Sequence, residues 1–283
     1  MYIYCLYGKN LKMAESNKGS MDFLSIIGDT FIDDHLASLR YAGMIQHALM
    51  PDPELLGGLL KDYFVLFLPR DIVSGDFYYA FSNRDCIFIA AGDCTGHGVP
   101  GALMSILGIS FLNEILHMKI RYKANRILNI MREKVMKALH QTGDKAETKD
   151  SIDIGLCLID CNSGKLQFAG ANRPLVRIRH RELTEFKPDL MTIGVAPLKE
   201  NAFKNNDIDT QPGDIFYLFS DGFSDQFGEL TNKKFKHRYF KKLLESVAGL
   251  PMKDQKQQLE KAFLEWKGSI PQVDDVLIFG FKF

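Results

Sequence analysis

The chain has 283 residues, 46% of them hydrophobic and 25% charged, with Lys+Arg and Asp+Glu at 35 each and a formal net charge of zero. That composition supplies a sizeable core and excludes a disordered chain, and the length suits one large mixed domain with an appendage. The even charge gives nothing that favours non-specific binding to nucleic acid or an anionic membrane.

The opening MYIYCLYGKNLK has no basic region followed by an apolar stretch, so it does not read as a signal peptide. Residues 1–20, which include KMAESNKGS, read as a flexible segment. From Met21 to Leu49 apolar residues recur at helical spacing (Phe23, Ile26, Ile27, Phe31, Leu36, Leu39, Ile45, Leu49), and Pro51 and Pro53 close the run. Residues 21–50 are therefore expected to form one or two helices. Their apolar stripe either meets a partner, as a dimer or regulatory segment, or packs on its own domain. Residues 51–283 read as the main domain.

Three short, aromatic-rich runs follow, YFVLFL, GDFYYAFS and CIFIAAG, separated by turn residues such as Ser82-Asn83-Arg84-Asp85, which suggests antiparallel hairpins. Helices are expected at about Gly101–Met118 and Lys123–His140, with QTGDKAETKDS as an exposed loop after them. SIDIGLCLID, KLQFAGA and PLVRIRH form a second strand series, and residues 187–212 look irregular. IFYLFSDG and QVDDVLIFGFKF look like buried strands, with helices near Lys234–Val247 and Asp254–Lys267 between them. Clustered strands and paired helices predict the α+β class with antiparallel sheets. No apolar run approaches the ~18 residues that span a bilayer.

Cys5, Cys86, Cys94, Cys157 and Cys161 form no metal signature. Cys157 and Cys161 lie four apart on one expected strand, ~13 Å along it, too far to share a zinc ion. They read as reduced thiols of a cytoplasmic protein.

In AAGDCTGHGVPGALMS, Gly96 to Gly101 formally match G-x-G-x-x-G. A dinucleotide site would then require a parallel strand ending in an acid ~20 residues on. Here the helix runs into a second helix, and no strand appears until Ser151, so that context is missing. Asp93, just before the loop, gives a better account. It stands at a strand end, as do Asp76, Asp221 and the pair Asp274-Asp275, each beside glycine or in an acidic pair. Converging carboxylates repel and lose solvation unless compensated. Hard divalent cations compensate them, and no His or Cys cluster competes for a softer metal. Taken singly, each Asp would equally cap a turn.

PRDIVSGDFYYAF, AAGDCTGHGVPGALMS, LFSDGFSDQ and VDDVLIFGF, in this order, resemble the motifs of the metal-dependent protein phosphatases, specifically the bacterial SpoIIE/RsbU-type branch of the protein phosphatase 2C-like fold. IQHALMP resembles the helix that leads into that domain, and the resemblance covers about Leu39 to Phe283. It implies two packed antiparallel sheets flanked by helix pairs. It also implies hydrolysis of phosphoserine or phosphothreonine on a regulatory protein, by a water activated between two Mn²⁺ or Mg²⁺ ions. The alternative is a catalytically weak phosphoprotein-binding signalling module of the same fold. By position, Asp93 matches the acid bridging both ions, with the Cys94 backbone carbonyl as an accessory ligand. Asp76 matches a ligand of one ion, and Asp221 and Asp274 match ligands of the other, with Asp275 interchangeable with Asp274. Two positions depart from the pattern: Tyr79 stands where many relatives carry an acid, and Leu277 where they often carry Thr or Ser.

Around this set, Asp153 reads as a strand-edge cap or as a neighbour of a third metal. Ser220, lacking a base, reads as structural. His97 is either a general acid or a loop-packing residue, and Arg70 either meets the substrate phosphate or pairs with Asp71 at the surface. The resemblance implies as partners a phosphorylated regulatory protein, such as an anti-sigma-factor antagonist, and a second copy of the chain through residues 21–50. No nucleic acid and no membrane span are expected.

Overall fold

The computed structural model describes residues 19–118, 122–141, 149–195 and 201–283, with side chains from residue 33. In chain order the elements are α1 (Gly19–Leu49), α2 (Pro53–Leu59), β1 (Asp62–Leu68), β2 (Phe77–Ser82), β3 (Cys86–Cys94), α3 (Gly98–Leu116) and α4 (Ala124–Ala138). They continue with β4 (Ile152–Asp160), β5 (Leu166–Ala171), β6 (Leu175–Arg179), β7 (Glu182–Phe186), β8 (Asn206–Ile208), β9 (Ile215–Phe219), α5 (Gly222–Asp225), α6 (His237–Val247), α7 (Met252–Lys267) and β10 (Val276–Lys282). The chain divides into two compact units, residues 1–41 and 42–283. Of the first, the described part is α1 up to Tyr41, and the segment 1–20 expected to be flexible lies, through residue 18, outside the described residues.

Two five-stranded antiparallel sheets organise the second unit, with strand orders β1-β10-β9-β6-β7 and β2-β3-β4-β5-β8. Period-2 alternation explains why IFYLF and VLIFGF look continuously apolar, because both faces of these strands are buried. Phe216 and Leu218 of β9 and Leu277, Phe279 and Phe281 of β10 join the larger core with Phe168 and Leu156 of the other sheet. The intervening Tyr217, Phe219, Val276 and Ile278 face a second core with Phe240, Leu244, Leu259 and Phe263 of α6 and α7. On the outer side of the other sheet, Leu112 and Ile115 of α3 and Ile127, Leu128 and Met131 of α4 are fully buried.

Several elements differ from the sequence reading. The prolines that end α1 also start α2: Asp52 Oδ1 accepts a hydrogen bond from Leu55 N (2.7 Å), and Pro53 takes the first turn, where its missing N–H costs nothing. Strand β7 and the short β8, which falls inside the stretch 187–212 that looked irregular, are sheet edges, where burial is partial and alternation weak. Helix α3 starts at Gly98, three residues earlier than expected. At 19 residues it is also long and apolar enough to cross a bilayer by length and composition alone. Half of that stretch is buried inside the fold.

Candidate metal centre

The acids reach one place because they stand at or beside strand ends of the two sheets that border one cavity. Asp93, near the C-terminal end of β3, pairs in register with Asp153 of β4. Asp221 follows β9, and Asp274 precedes β10 beside it. A cavity of about 240 Å³ is lined by Asp93, Asp153, Asp221 and Asp274, with Cys94 and Arg173. Asp76, 2% exposed, is close enough to Asp93 for their charges to interact, and its Oδ2 is buried with no hydrogen-bond partner. Tight backbone approaches make this convergence attainable. Gly96 turns the chain out of β3 at φ 85°, a conformation suited to glycine, and a Cβ on Gly222 would collide with the Asp275 carbonyl.

Arg173 sits among the carboxylates. Its Nη2 donates to Asp93 Oδ2 (2.6 Å) and Asp221 Oδ2 (2.8 Å) and lies 3.6 Å from Asp153 Oδ2. Local sequence fixes it there. In ANRP, Asn172 takes φ 55°, a region Asn tolerates well, and Arg173 N donates to Ala171 O (2.7 Å). Pro174 then biases Arg173 toward extended backbone. Asn172 Nδ2 donates to Asp153 Oδ1 (2.9 Å), so one turn orients both a cation and an acid of the site.

Burial and mutual repulsion govern the titration of the cluster. Burial raises Asp76 well above the ordinary carboxylate range, and Asp93 adds to this, while a hydrogen bond from Ser220 opposes it. Asp93 is pushed up to about 7, chiefly by burial, with Arg173 opposing and Asp221, Asp274 and Asp153 reinforcing. Asp274 is raised by burial, against a hydrogen bond from the Asp275 N–H. Arg173 is held firmly charged: burial works against this, and Asp93 and Asp221 outweigh it. Among the described residues no three Asp, Glu, His or Cys side chains form a ready metal cage. The Arg173 guanidinium stands among these acids, bonded to Asp93 and Asp221. The donor set still fits a hard divalent cation: it is all oxygen, and one buried oxygen lacks a partner.

Asp274 and Asp275 do different work. Asp275 is 2% exposed and accepts from Arg70 N (2.7 Å) and Gly75 N (2.7 Å), so it ties the 70–75 loop to the start of β10. Asp274 faces the cavity. Arg70 turns its guanidinium to the Val273 carbonyl (2.9 Å), not to Asp71, and Asp71 instead meets His97 Nδ1 (3.1 Å). Asp153 faces the cluster and is not an edge cap. Ser220 Oγ accepts from Leu277 N (2.9 Å), and Tyr79 O–H donates to Asn113 Oδ1 (2.6 Å). Gln46, buried near the end of α1, donates to Ser74 O (2.5 Å) and Ser105 Oγ (2.7 Å) and accepts from Ser74 N (3.0 Å). Ser74 Oγ in turn accepts from Asp76 N (3.0 Å). The described cysteines, Cys86, Cys94, Cys157 and Cys161, are free thiols.

Residues 83–283 match the family described as Stage II sporulation protein E, SpoIIE. The chain belongs to that family. Among solved structures, this SpoIIE-family chain is similar to the SiaA-PP2C domain of Pseudomonas aeruginosa at 33% identity and a TM-score of 0.79, over 90% of this chain and 98% of that one. The phosphatase and partial regulatory domain of SpoIIE from Bacillus subtilis matches at 18% identity and a TM-score of 0.61, over 78% of this chain and 63% of that one. The RsbU and RsbW domains of Rv1364c from Mycobacterium tuberculosis match at 20% identity and a TM-score of 0.61, over 78% and 59%. No curated protein matches the chain. The α+β sandwich of two antiparallel sheets is thus the protein phosphatase 2C-like fold of the SpoIIE/RsbU type.

Arg173 is the site residue that sequence reasoning missed. A signal was present: a basic residue between Asn and Pro in a two-strand turn is held rigidly. Its acidic partners, however, lie 80 and 48 positions away.

Proposed function

We propose that the chain is a metal-dependent protein serine/threonine phosphatase whose carboxylate cluster holds two divalent cations, Mn²⁺ or Mg²⁺. One observation carries the reading. Asp93, Asp153, Asp221 and Asp274 converge on one cavity with Asp76 behind them, and its Oδ2 is left without a partner. Such a set is costly without a cation. Asp93, with the Cys94 carbonyl, would serve both ions, Asp76 one, and Asp221 and Asp274 the other. When bound, two such cations lower the pKa of a shared water and offset charge on the phosphoryl oxygens. RsbX, which shares the fold at 12% identity, has been seen in complex with magnesium.

The chain's own residues hold the carboxylates in place. Ser74 Oγ bonds the Asp76 N–H, Asn172 bonds Asp153, and Asp275 anchors the loop before Asp76. Neither nearby nucleophile is primed. Burial pushes the Cys94 thiol up, and the Ser220 hydroxyl is engaged by Leu277 N. Attack by water is therefore the route these residues support.

The substrate class we infer is phosphoserine or phosphothreonine on a regulatory protein such as an anti-sigma-factor antagonist, supported by the likeness to SpoIIE- and RsbU-type domains. The cytoplasm and a homodimer through residues 21–50 belong to the same proposal. The Arg173 guanidinium lying on Asp93 and Asp221 favours a second reading, a catalytically weak phosphoprotein-binding module. Hydrolysis of p-nitrophenyl phosphate separates the two. The first expects turnover with Mn²⁺, loss with EDTA and recovery on adding Mn²⁺ back. Turnover that survives exhaustive chelation contradicts the metal reading, and absence of turnover under every condition favours the second.

A further inference from the structure

Arg173 lines two cavities. One is the acid cluster. The other, of about 420 Å³, opens beside it and is lined by Phe219, Pro174, Pro188 and Leu190 together with Glu185, Lys187 and His237. Arg173 and Asp221 are common to both linings. The arginine is 14% exposed, and its hydrogen bonding is lopsided. Nη2 serves Asp93 and Asp221 together, while Nε is buried with no partner. Nε–H and the adjacent Nη2–H form the edge of a guanidinium that grips two oxygens of one anion. Here that edge is half used, and a buried idle donor invites an acceptor.

We propose that Arg173 is the phosphate anchor of the active site. In the metal-free chain it is the counter-ion of the carboxylate cluster. Once divalent cations neutralise Asp93 and Asp221, those oxygens hold the guanidinium far less strongly. Its Nε–Nη2 edge then turns to two non-bridging oxygens of a phosphate monoester, whose organic part lies in the 420 Å³ cavity. The apolar part of that lining suits the chain flanking a phosphorylated residue, and Lys187 and the Glu185–His237 pair complete it. This assignment rests on the phosphatase reading. It gives the phosphate-binding part to a residue of the β5–β6 turn and not to Arg70, whose guanidinium is occupied by the Val273 carbonyl.

The test is calorimetric binding of inorganic phosphate and of Mn²⁺ to the full chain, wild type against Arg173→Gln and Arg173→Lys. A bidentate charged hydrogen bond is worth about 10- to 100-fold in affinity. Arg173→Gln in the Mn²⁺-loaded protein is therefore expected to bind phosphate at least tenfold more weakly. Its Mn²⁺ affinity should equal or exceed that of the wild type, because a competing cation is gone. Arg173→Lys, which keeps the charge and loses the fork, should fall between, and it covers the case in which the Gln variant folds poorly. With p-nitrophenyl phosphate the defect should appear mainly in KM. If wild type turns over ester and Arg173→Gln matches its phosphate affinity, the anchor is overturned and the phosphatase reading stands. If wild type binds Mn²⁺ yet neither binds phosphate nor turns over ester, both fall.

Discussion

Replacing Asp93 by Asn should move the stability of the metal-free and the metal-loaded protein in opposite directions. Asp93 titrates near 7 in the folded chain against 3.8 as an ordinary aspartate. Below 3.8 both states carry the proton; between 3.8 and about 7 the folded state keeps a proton that the unfolded chain has released. The Asp93 contribution to wild-type stability therefore falls as pH rises through that window and is flat above it. At about 1.4 kcal/mol for each pH unit, holding Asp93 ionised at pH 8 costs the folded state about 4 kcal/mol. Asn carries no such cost. Even half of that relief should raise the metal-free Tm at pH 8 by about 4–8 °C in a domain this size, and the gain should shrink toward pH 5. With Mn²⁺ at about 100 times its Kd, wild type should gain about 2.7 kcal/mol, or about 5–11 °C, and Asp93→Asn almost none. Scanning calorimetry at pH 5 and pH 8, with and without Mn²⁺, reads all of this. A variant that is less stable than wild type at pH 8 without metal, or that gains as much from Mn²⁺, would refute the reasoning.

Gln46→Ala strands the buried N–H and C=O of Ser74, so it should cost about 2–4 kcal/mol and lower Tm by about 5–15 °C; because Ser74 steadies Asp76, Mn²⁺ affinity should drop as well, readable by calorimetry. Apparent Mn²⁺ affinity should climb as pH rises to about 7 and level off above, since the Asp93 proton competes with the cation; a flat profile from pH 5.5 to 8 would contradict this. His97→Ala touches an exposed pair with Asp71 and should change kcat less than about tenfold, against a near-total loss for Asp76→Asn or Asp221→Asn in the same assay. Light scattering should find the full chain dimeric and a chain starting at Leu36 monomeric, with weaker Mn²⁺ activation; two monomers of equal metal affinity would leave residues 21–50 a tether.

The strands and the acids were legible because their signals are local. A run such as CIFIAAG followed by Asp93 states both its burial and its charged end within nine residues of β3. What escaped the sequence depends on distant pairing. Asp274 and Asp275 are adjacent and chemically identical, and only the N–H groups of Arg70 and Gly75, 205 and 200 positions away, draw Asp275 aside. Arg173 looks like any turn arginine until β5 and β9 bring it between Asp93 and Asp221. The edge strands β7 and β8 bury too little for alternation to show. Pro51 and Pro53 spoke for an end and were silent on the start of α2, which needed the Asp52 cap to be seen.

The most direct measurement is anomalous scattering from crystals of the full chain soaked in Mn²⁺. Two peaks are expected within ligating distance of the cluster, Asp93 touching both, Asp76 one, and Asp221 with Asp274 the other, and Arg173 withdrawn from Asp93. Crystals saturated with Mn²⁺ that show no ion at these carboxylates, with Arg173 still bonded to Asp93 and Asp221, would contradict the assignment of a metal centre.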